Sequence, residues 1–251
     1  MFELKKALIA ILVLLMLSVP IGVNALSPPL QAQTQSKALL LSSMNATAPM
    51  GNYAQQVVSY LKQGGYNVTY LADGAITIDF LLSHMNNYSI VIWRTNTDNS
   101  MRTNYWYIGE KINNKIQQRY ASDFAAGWLS AHAGVIGMSS DFIKHHFGRN
   151  SLGRVKLLIF IGSYANSIAT EFLAAGVSSV VFTSGVISLQ NGLVDVLTAS
   201  IMNYLAQGKD VESAVYETVS PFSQGQQPQD PLDSTYATPF WYIGDGSLTI
   251  V

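Results

Sequence analysis

Short apolar runs alternate with amphipathic segments along most of this chain. An apolar run bounded by polar or turn residues predicts a buried β-strand. The predicted strands are residues 37–43, 66–71, 88–93, 155–161 and 179–182, with residues 247–251 as a candidate closing strand. Strands that are apolar on both faces indicate a parallel sheet covered on both sides. The sequence therefore predicts an α/β fold with a doubly wound, mostly parallel sheet and helices on both faces.

Segments with apolar residues at helical spacing lie between these strands. The predicted helices are residues 52–63, 77–85, 116–130, 139–147, 166–175, 192–207 and 211–219. The part between residues 97 and 150 is less regular. There the sequence predicts a hairpin or loop over residues 104–116 and a short strand near Val135. Residues 221–231 are predicted to form a polar loop.

The first 25 residues have the layout of a secretory signal peptide. Lys5 and Lys6 precede an apolar run that extends from residue 7 to about residue 19, and small residues follow at a candidate cleavage site. An uncleaved membrane anchor is the alternative, because the run is close to the shortest length that spans a bilayer. In both cases the rest of the chain is expected outside the cytoplasm, secreted or at the cell surface. Residues 26–36 are predicted to be a flexible linker, which leaves residues 37–251 as the folded domain.

Composition narrows the functional classes. The 251-residue chain is 49% hydrophobic, which is enough to bury the core of one α/β domain. Charged residues make up 12% and the formal net charge is −1, with no basic stripe, so nucleic-acid binding is not expected. The chain contains no cysteine, so an exported form must be stabilised by its core without disulfides.

Three Asn-x-Ser/Thr triplets occur, at Asn45, Asn67 and Asn87. In an exported chain such triplets are candidate glycosylation sites. They favour an archaeal or eukaryotic surface over a typical bacterial one.

Polar residues follow two of the predicted strands at the points where the strands end. The candidates are Arg94, Asn96 and Thr97 after the third strand, and Gly162, Ser163 and Tyr164 after the fourth. Ligands of open α/β sheets bind outside the carboxyl ends of the strands. We therefore expect a binding cleft at these two strand ends.

At these strand ends the sequence resembles the caspase-like cysteine peptidases, a group that includes caspases, gingipain, legumain and the CHAT domains. The likeness is closest to their exported archaeal members. In that family the third strand ends in a histidine, and the fourth ends in a small residue followed by the catalytic cysteine. Here the run YSIVIWRT is followed by Asn96, and Gly162 and Ser163 follow the fourth strand. The segments IATEFLAAGVSSVVF and GLVDVLTASIMNYLAQGKDVESAVYETV extend the resemblance, which covers about residues 37–219 and implies a caspase-like topology.

Both reactive positions depart from the family pattern. A serine hydroxyl needs a positioned base to take its proton, and the carboxamide of Asn96 does not take up a proton near neutral pH. General acid–base help is worth roughly 10²–10⁴-fold in rate. The resemblance therefore implies an inactive pseudopeptidase that binds a peptide or protein, or has a scaffolding or envelope role. The alternative is an extracytoplasmic peptide or amide hydrolase that uses Ser163 as nucleophile with another residue as base.

Backbone N–H groups in the turn around Gly162 and Ser163 are expected to form an oxyanion-binding pocket with either function. Such a pocket would let an inactive protein bind a carboxylate or a peptide carbonyl. No cofactor is expected.

The histidines give little support for other chemistry. His132 lacks a preceding buried strand and is predicted to lie at the surface or to serve packing, and His84 is predicted to be exposed at a helix end. Asp141 shares a helix face with one of the neighbours His145 and His146. One such pair is too few for a metal site, which needs three or four ligands, so no metal is expected.

Asp195 and Glu171 are single carboxylates in helical stretches and are predicted to be solvated. Aromatic residues cluster at positions 105–107 and 241–242. They favour packing over a sheet edge, with a carbohydrate- or protein-binding surface as the alternative.

Overall fold

The computed structural model describes residues 35–98, 103–190, 192–221 and 240–251. The strands within these residues are β1 (Lys37–Ser42), β2 (Asn67–Ala72), β3 (Ile90–Arg94), β4 (Thr97–Asp98), β5 (Tyr105–Lys111), β6 (Leu129–His132), β7 (Val135–Met138), β8 (Leu157–Ile161), β9 (Ser179–Thr183) and β10 (Phe240–Gly244). The helices are α1 (Tyr53–Gln63), α2 (Ile78–His84), α3 (Asn114–Arg119), α4 (Ala121–Ala125), α5 (Ser140–His146), α6 (Asn166–Ala174), α7 (Leu193–Ala206) and α8 (Val211–Val219).

The main sheet has the strand order β2–β1–β3–β8–β9–β10. The first five of these strands are parallel, and β10 pairs antiparallel with β9. The central strands β3 and β8 are buried along their whole length, as the apolar runs IVIW and LLIFI predict, and the buried residue that ends β3 is Arg94. The predicted α/β class and mostly parallel sheet are confirmed.

Helices pack on both faces of this sheet, so side chains alternate along each strand between two cores. One core contains Leu40 and Ile92 from the sheet together with residues of α1, α7 and α8. The other contains Trp93 and Phe160 with residues of α2, α5 and α6. The two central strands therefore present side chains to both helix layers, which fixes their register firmly.

A second, antiparallel sheet has the order β4–β5–β7–β6. It begins three residues after β3 ends, so it lies beside the carboxyl ends of the main sheet's central strands. Trp106 of β5 is fully buried, and its ring meets that of Phe160 on β8 edge to face at 6.0 Å between centroids. This contact joins the two sheets next to the candidate site.

Three predicted elements differ from the structure. The predicted helix over residues 116–130 is wrong: the helical stretch breaks at Tyr120, and Gly127, with a φ of +72°, comes before β6. Residues 104–116 contain β5, an interior strand of the second sheet, in place of a simple hairpin or loop. The closing strand is β10, and residues 247–251 are not a strand. The remaining predicted strands and helices are confirmed with small shifts at their ends.

No helix in the described ranges is long and apolar enough to cross a membrane. Residues 1–34, with the predicted signal peptide or anchor and most of the linker, lie outside the described residues. Residues 222–231 of the predicted polar loop do so as well.

Candidate functional site

The two strand ends singled out by the sequence lie side by side. Strands β3 and β8 are hydrogen-bonded neighbours, with Arg94 opposite Ile161, and the N–H of Thr95 donates to the carbonyl of Ile161 at 2.8 Å. The next residues are Asn96 on one strand end and Ser163 on the other. The two predicted residues therefore follow neighbouring strand ends at the carboxyl edge of the sheet.

The turn after β8 requires a glycine at position 162. A Cβ atom on Gly162 would lie 2.8 Å from the ring of Trp106 and 3.2 Å from the Thr95 methyl group. The backbone of Gly162 is also held by Thr183, whose hydroxyl donates to the Gly162 carbonyl at 2.6 Å and accepts from its N–H at 2.9 Å. Close backbone packing, not only turn geometry, therefore selects the small residue before Ser163.

The hydroxyl of Ser163 is tied to one neighbouring residue. It accepts from the N–H of Ile187 at 3.0 Å and donates to the carbonyl of Ile187 at 3.4 Å. Ser163 is only 8% exposed. Neither hydrogen bond involves an imidazole or a carboxylate, so these bonds hold the loop after β9 in place and do not activate the oxygen.

The second sheet fixes the backbone of the same turn. The carbonyl of Ser163 accepts from the Trp106 indole N–H and from the Thr97 hydroxyl, each at 3.0 Å. The following residue, Tyr164, has a φ of +55°, a left-handed conformation that is unusual for a residue with a side chain. The side chain of Tyr164 is half-buried, and the residue comes directly after Ser163 in the chain. The turn is thus held from both sides in a strained conformation.

Three backbone N–H groups of the turn are engaged within the protein. The N–H of Gly162 donates to Thr183, that of Tyr164 to the carbonyl of Gly185, and that of Ala165 to the carbonyl of Thr183. The N–H of Thr97, on the opposite strand end, donates to the side-chain oxygen of Asn96 at 2.9 Å. These bonds occupy the N–H groups of Gly162, Tyr164 and Ala165, and the oxyanion pocket expected around Ser163 stays a prediction.

Asn96 is exposed, and its side-chain oxygen accepts the bond from the next residue in the chain. Its backbone carbonyl accepts from the N–H of Tyr107 at 3.0 Å, which fixes its position against the second sheet. The side chain therefore stabilises its own turn and supplies no base to Ser163.

His132 is not placed to act as a base for Ser163, because it lies on the opposite face of the second sheet. Its Nδ1 is 3.1 Å from a carboxylate oxygen of Asp98 on β4, and its side chain is 53% exposed. Side chains alternate between faces along a strand, and the preceding residue, Thr97, is the one that contacts Ser163. His132 therefore belongs to the opposite face of the second sheet.

Arg94 is buried under the site and does not line a cleft. The side chain is 0% exposed. Its Nε and Nη2 donate to the two carboxylate oxygens of Asp195 at 2.7 and 3.0 Å, which is a bidentate pair. The remaining contacts are to the carbonyls of Ala48 at 2.7 Å and Leu189 at 3.2 Å. The guanidinium thus ties together three chain segments around the end of β3.

The predicted solvation of Asp195 is wrong, because this residue is 6% exposed. Burial raises the pKa of its carboxyl above the ordinary value, and the hydrogen bonds and charge of Arg94 oppose that rise. Glu171, predicted in the same way, is half-buried. The sequence carried no sign of the pair, because its two members are 101 residues apart.

The other histidines serve local packing. His84 is exposed at the end of α2, as predicted. His146 lies 2.9 Å from the buried carboxylate of Asp123, and the ring of His145 stacks on Trp128 at 4.0 Å between centroids. No group of three or more His, Asp or Glu side chains in the described part of the chain could hold a metal ion.

The aromatic residues at 105–107 and Trp241 pack in the interior, whereas Tyr242 is half-buried. Residues 105–107 are between 0% and 8% exposed, and Trp241 is 6% exposed. Among the candidate glycosylation sites, Asn67 and Asn87 are exposed. Asn45 is half-buried, and its side-chain oxygen accepts from the N–H of Met50 at 3.3 Å. Glycosylation stays a prediction at all three.

We expect Asp195→Ala to lower the free energy of unfolding by about 3–5 kcal/mol, because it leaves the buried guanidinium of Arg94 without its counter-ion. The measurement is urea denaturation followed by circular dichroism.

Glu171→Ala on α6 is the control and should change stability by less than about 0.5 kcal/mol. The double variant Arg94→Met/Asp195→Leu should lose less than Asp195→Ala, because it removes both charges. A stability of Asp195→Ala equal to that of the unaltered protein would contradict this role.

Comparisons with known proteins do not assign this chain to a family. No protein family model matches the chain, and a search of curated proteins finds no related sequence. Function is therefore inferred from the sequence and from the residues around Ser163.

Proposed function

We propose that this chain is an exported pseudopeptidase with a caspase-like fold, whose role is binding, scaffolding or envelope assembly and not catalysis. The resemblance to the caspase-like peptidases requires the histidine and cysteine positions to lie at neighbouring strand ends. Asn96 and Ser163 follow β3 and β8, which are adjacent in the sheet. Export is proposed from the signal-like first 25 residues.

One observation supports the inactive state best: both hydrogen bonds of the Ser163 hydroxyl go to the backbone of Ile187. A serine nucleophile must lose its proton to a base as it attacks, and here the proton is directed at a backbone carbonyl. A carbonyl oxygen does not accept a proton near neutral pH. Attack by Ser163 would also break the bond that holds the loop after β9.

The strained turn fits a position that once carried chemistry. Residues held in left-handed conformations cluster at active sites and cost about 1–3 kcal/mol each. Tyr164 adopts such a conformation directly after Ser163. A left-handed residue directly after Ser163 is what we expect of an inherited active-site turn. The hydrogen-bonding groups of such a turn now make internal contacts.

The hydrolase alternative is tested by a fluorophosphonate probe, which labels activated serine residues. We expect no labelling that depends on Ser163, because the hydroxyl has no base: the unaltered protein and Ser163→Ala should give the same background in a gel-based assay. Labelling of the unaltered protein that Ser163→Ala abolishes would establish the hydrolase instead.

Whether positions 96 and 163 face each other is tested by placing a cysteine in this chain, which otherwise contains none. Asn96→His combined with Ser163→Cys should react about tenfold faster with iodoacetamide at pH 7 than Ser163→Cys alone. The reason is that a neighbouring imidazolium lowers the pKa of a thiol.

Asn96→Gln with Ser163→Cys is the matched control, because it alters the side chain without adding a charge, and it should leave the rate of Ser163→Cys unchanged. Equal rates for the histidine and glutamine variants would show that the positions do not face each other, and would overturn the caspase-like interpretation.

A further inference from the structure

Four exposed cations gather at the amino edge of the main sheet, the edge opposite Ser163. They are Lys37 at the start of β1, Lys156 directly before β8, and Arg149 and Arg154 in the loop between α5 and β8. With the described residues, none of the four forms an ion pair or a side-chain hydrogen bond. Their charges are therefore directed to solvent, and this surface is called the basic edge below.

Backbone pairing fixes the spacing of the two lysines. The N–H of Ser89 donates to the carbonyl of Lys37 at 2.8 Å, and the N–H of Lys156 donates to the carbonyl of Ser89 at 2.7 Å. The three residues form one row across β1, β3 and β8, so their side chains lie on the same face of the sheet. Neighbouring strands are about 4.8 Å apart, which places the Cα atoms of the two lysines about 10 Å apart.

Helix dipoles do not account for this charge. A lysine in the last turn of a helix offsets the helix dipole, and Lys62 of α1 and Lys144 of α5 are placed in this way. The four cations of the basic edge lie outside the helices. The described segments that meet there, residues 35–38, 84–90 and 148–157, contain no aspartate or glutamate. No side chain of these segments therefore neutralises the four charges.

Acidic residues lie toward the other end of the same edge of the sheet. Asp245 follows β10, and its N–H donates to the carbonyl of Ser178 at 2.9 Å, next to β9. Glu212 begins α8, and its N–H donates to the carbonyl of Gly246 at 3.0 Å. Glu171 is half-buried on α6, which packs against β9. Charge is therefore segregated along the edge, and only the part beside β1, β3 and β8 attracts an anionic partner.

The composition of the basic edge favours a membrane over a nucleic acid. Single-stranded nucleic acids bind where aromatic rings lie among the cations. The one tyrosine in the three segments is Tyr88, which packs against the core, and the segments contain no phenylalanine or tryptophan. Residues 26–36 join the predicted leader to β1 at this same edge. Charge and chain connectivity therefore both favour an anionic bilayer as the partner.

We propose that the basic edge rests on an anionic membrane surface, with its four cations against the lipid phosphates. This inference rests on the proposed export, which puts the domain on the outer side of the cell membrane. The strands run from the basic edge to the carboxyl edge, so the turn around Ser163 faces away from the bilayer. Each lysine or arginine near an anionic bilayer strengthens association about fivefold.

A fluorescent label tests this contact, because a chain without cysteine can carry one at a single chosen position. The full-length protein with Asn87→Cys, an exposed position two residues before Ser89, is labelled with a dye whose emission depends on polarity. With vesicles that contain phosphatidylglycerol we expect emission at shorter wavelength and weaker quenching by acrylamide. Both changes should reverse at about 0.5 M salt, which screens the charges. Vesicles of phosphatidylcholine alone should give neither change, whereas an apolar leader would bind both kinds.

Two double variants with the same net charge locate the contact on the protein. Lys37→Gln/Lys156→Gln should lower the ratio of membrane-bound to free edge about twentyfold, because it removes two contributions of about fivefold. Lys111→Gln/Lys115→Gln removes two exposed lysines outside the basic edge and should change that ratio less than about twofold. A dye at Asn96→Cys, on the opposite edge of the sheet, should show no contact with lipid. Circular dichroism checks that each variant folds.

Other outcomes overturn the proposal. Equal responses to neutral and anionic vesicles would assign the membrane contact to the leader, and no response to either would show that the edge is only solvated. Binding of DNA or heparin that Lys37→Gln/Lys156→Gln weakens, without a response to vesicles, would assign the edge to a soluble polyanion. A glycan on Asn87 in protein from its native cells would hold the edge away from lipid.

The proposed function and this surface can fail separately. Fluorophosphonate labelling of Ser163 would overturn the inactive state, and a chain found in the cytoplasm would overturn the proposed export. Neither result changes what the labelled protein does with anionic vesicles.

Discussion

The buried ion pair between Arg94 and Asp195 is the interaction on which the carboxyl edge of the sheet depends. It joins the end of β3 to α7, and the same guanidinium binds the carbonyls of Ala48 and Leu189. Ala48 belongs to the loop that follows β1, and Leu189 to the loop that holds Ser163 through Ile187. A charge in this position must be paired, because an unpaired guanidinium in the core is strongly unfavourable. One internal contact therefore positions two loops at the carboxyl edge of the sheet.

Around Ser163, a left-handed turn is combined with hydrogen bonds to the protein's own residues. Gly162 fits beneath Trp106, and Tyr164 is held in a left-handed conformation. The Ser163 hydroxyl bonds to Ile187, and the N–H groups of Gly162 and Tyr164 bond to Thr183 and Gly185. Such satisfied polar groups rigidify a turn.

The sequence predicted those elements whose signal is local. The apolar runs of β3 and β8 are buried on both faces, so the hydrophobic pattern alone identified these strands, which are neighbours in the sheet and precede Asn96 and Ser163. The prediction for the region between these strands was wrong in part, because tertiary contacts decide where short helices and strands form. Leu129 of β6, for example, pairs with Met138 of β7. β10 was not predicted, because the only signal noted in its sequence was a cluster of aromatic residues. Asp195 could not be assigned, since a lone carboxylate on a helix does not reveal a partner far along the chain.

The central claim is that the Ser163 hydroxyl serves the fold and not a substrate, and the amide proton of Ile187 reports on it directly. Hydrogen exchange measured by NMR should find this proton protected in the unaltered protein, because it donates to the Ser163 oxygen. Ser163→Ala should then speed its exchange, while the amide of Ala165, which donates to Thr183, stays unchanged. Rapid exchange of Ile187 in the unaltered protein would mean that the hydroxyl is free, and would contradict the account.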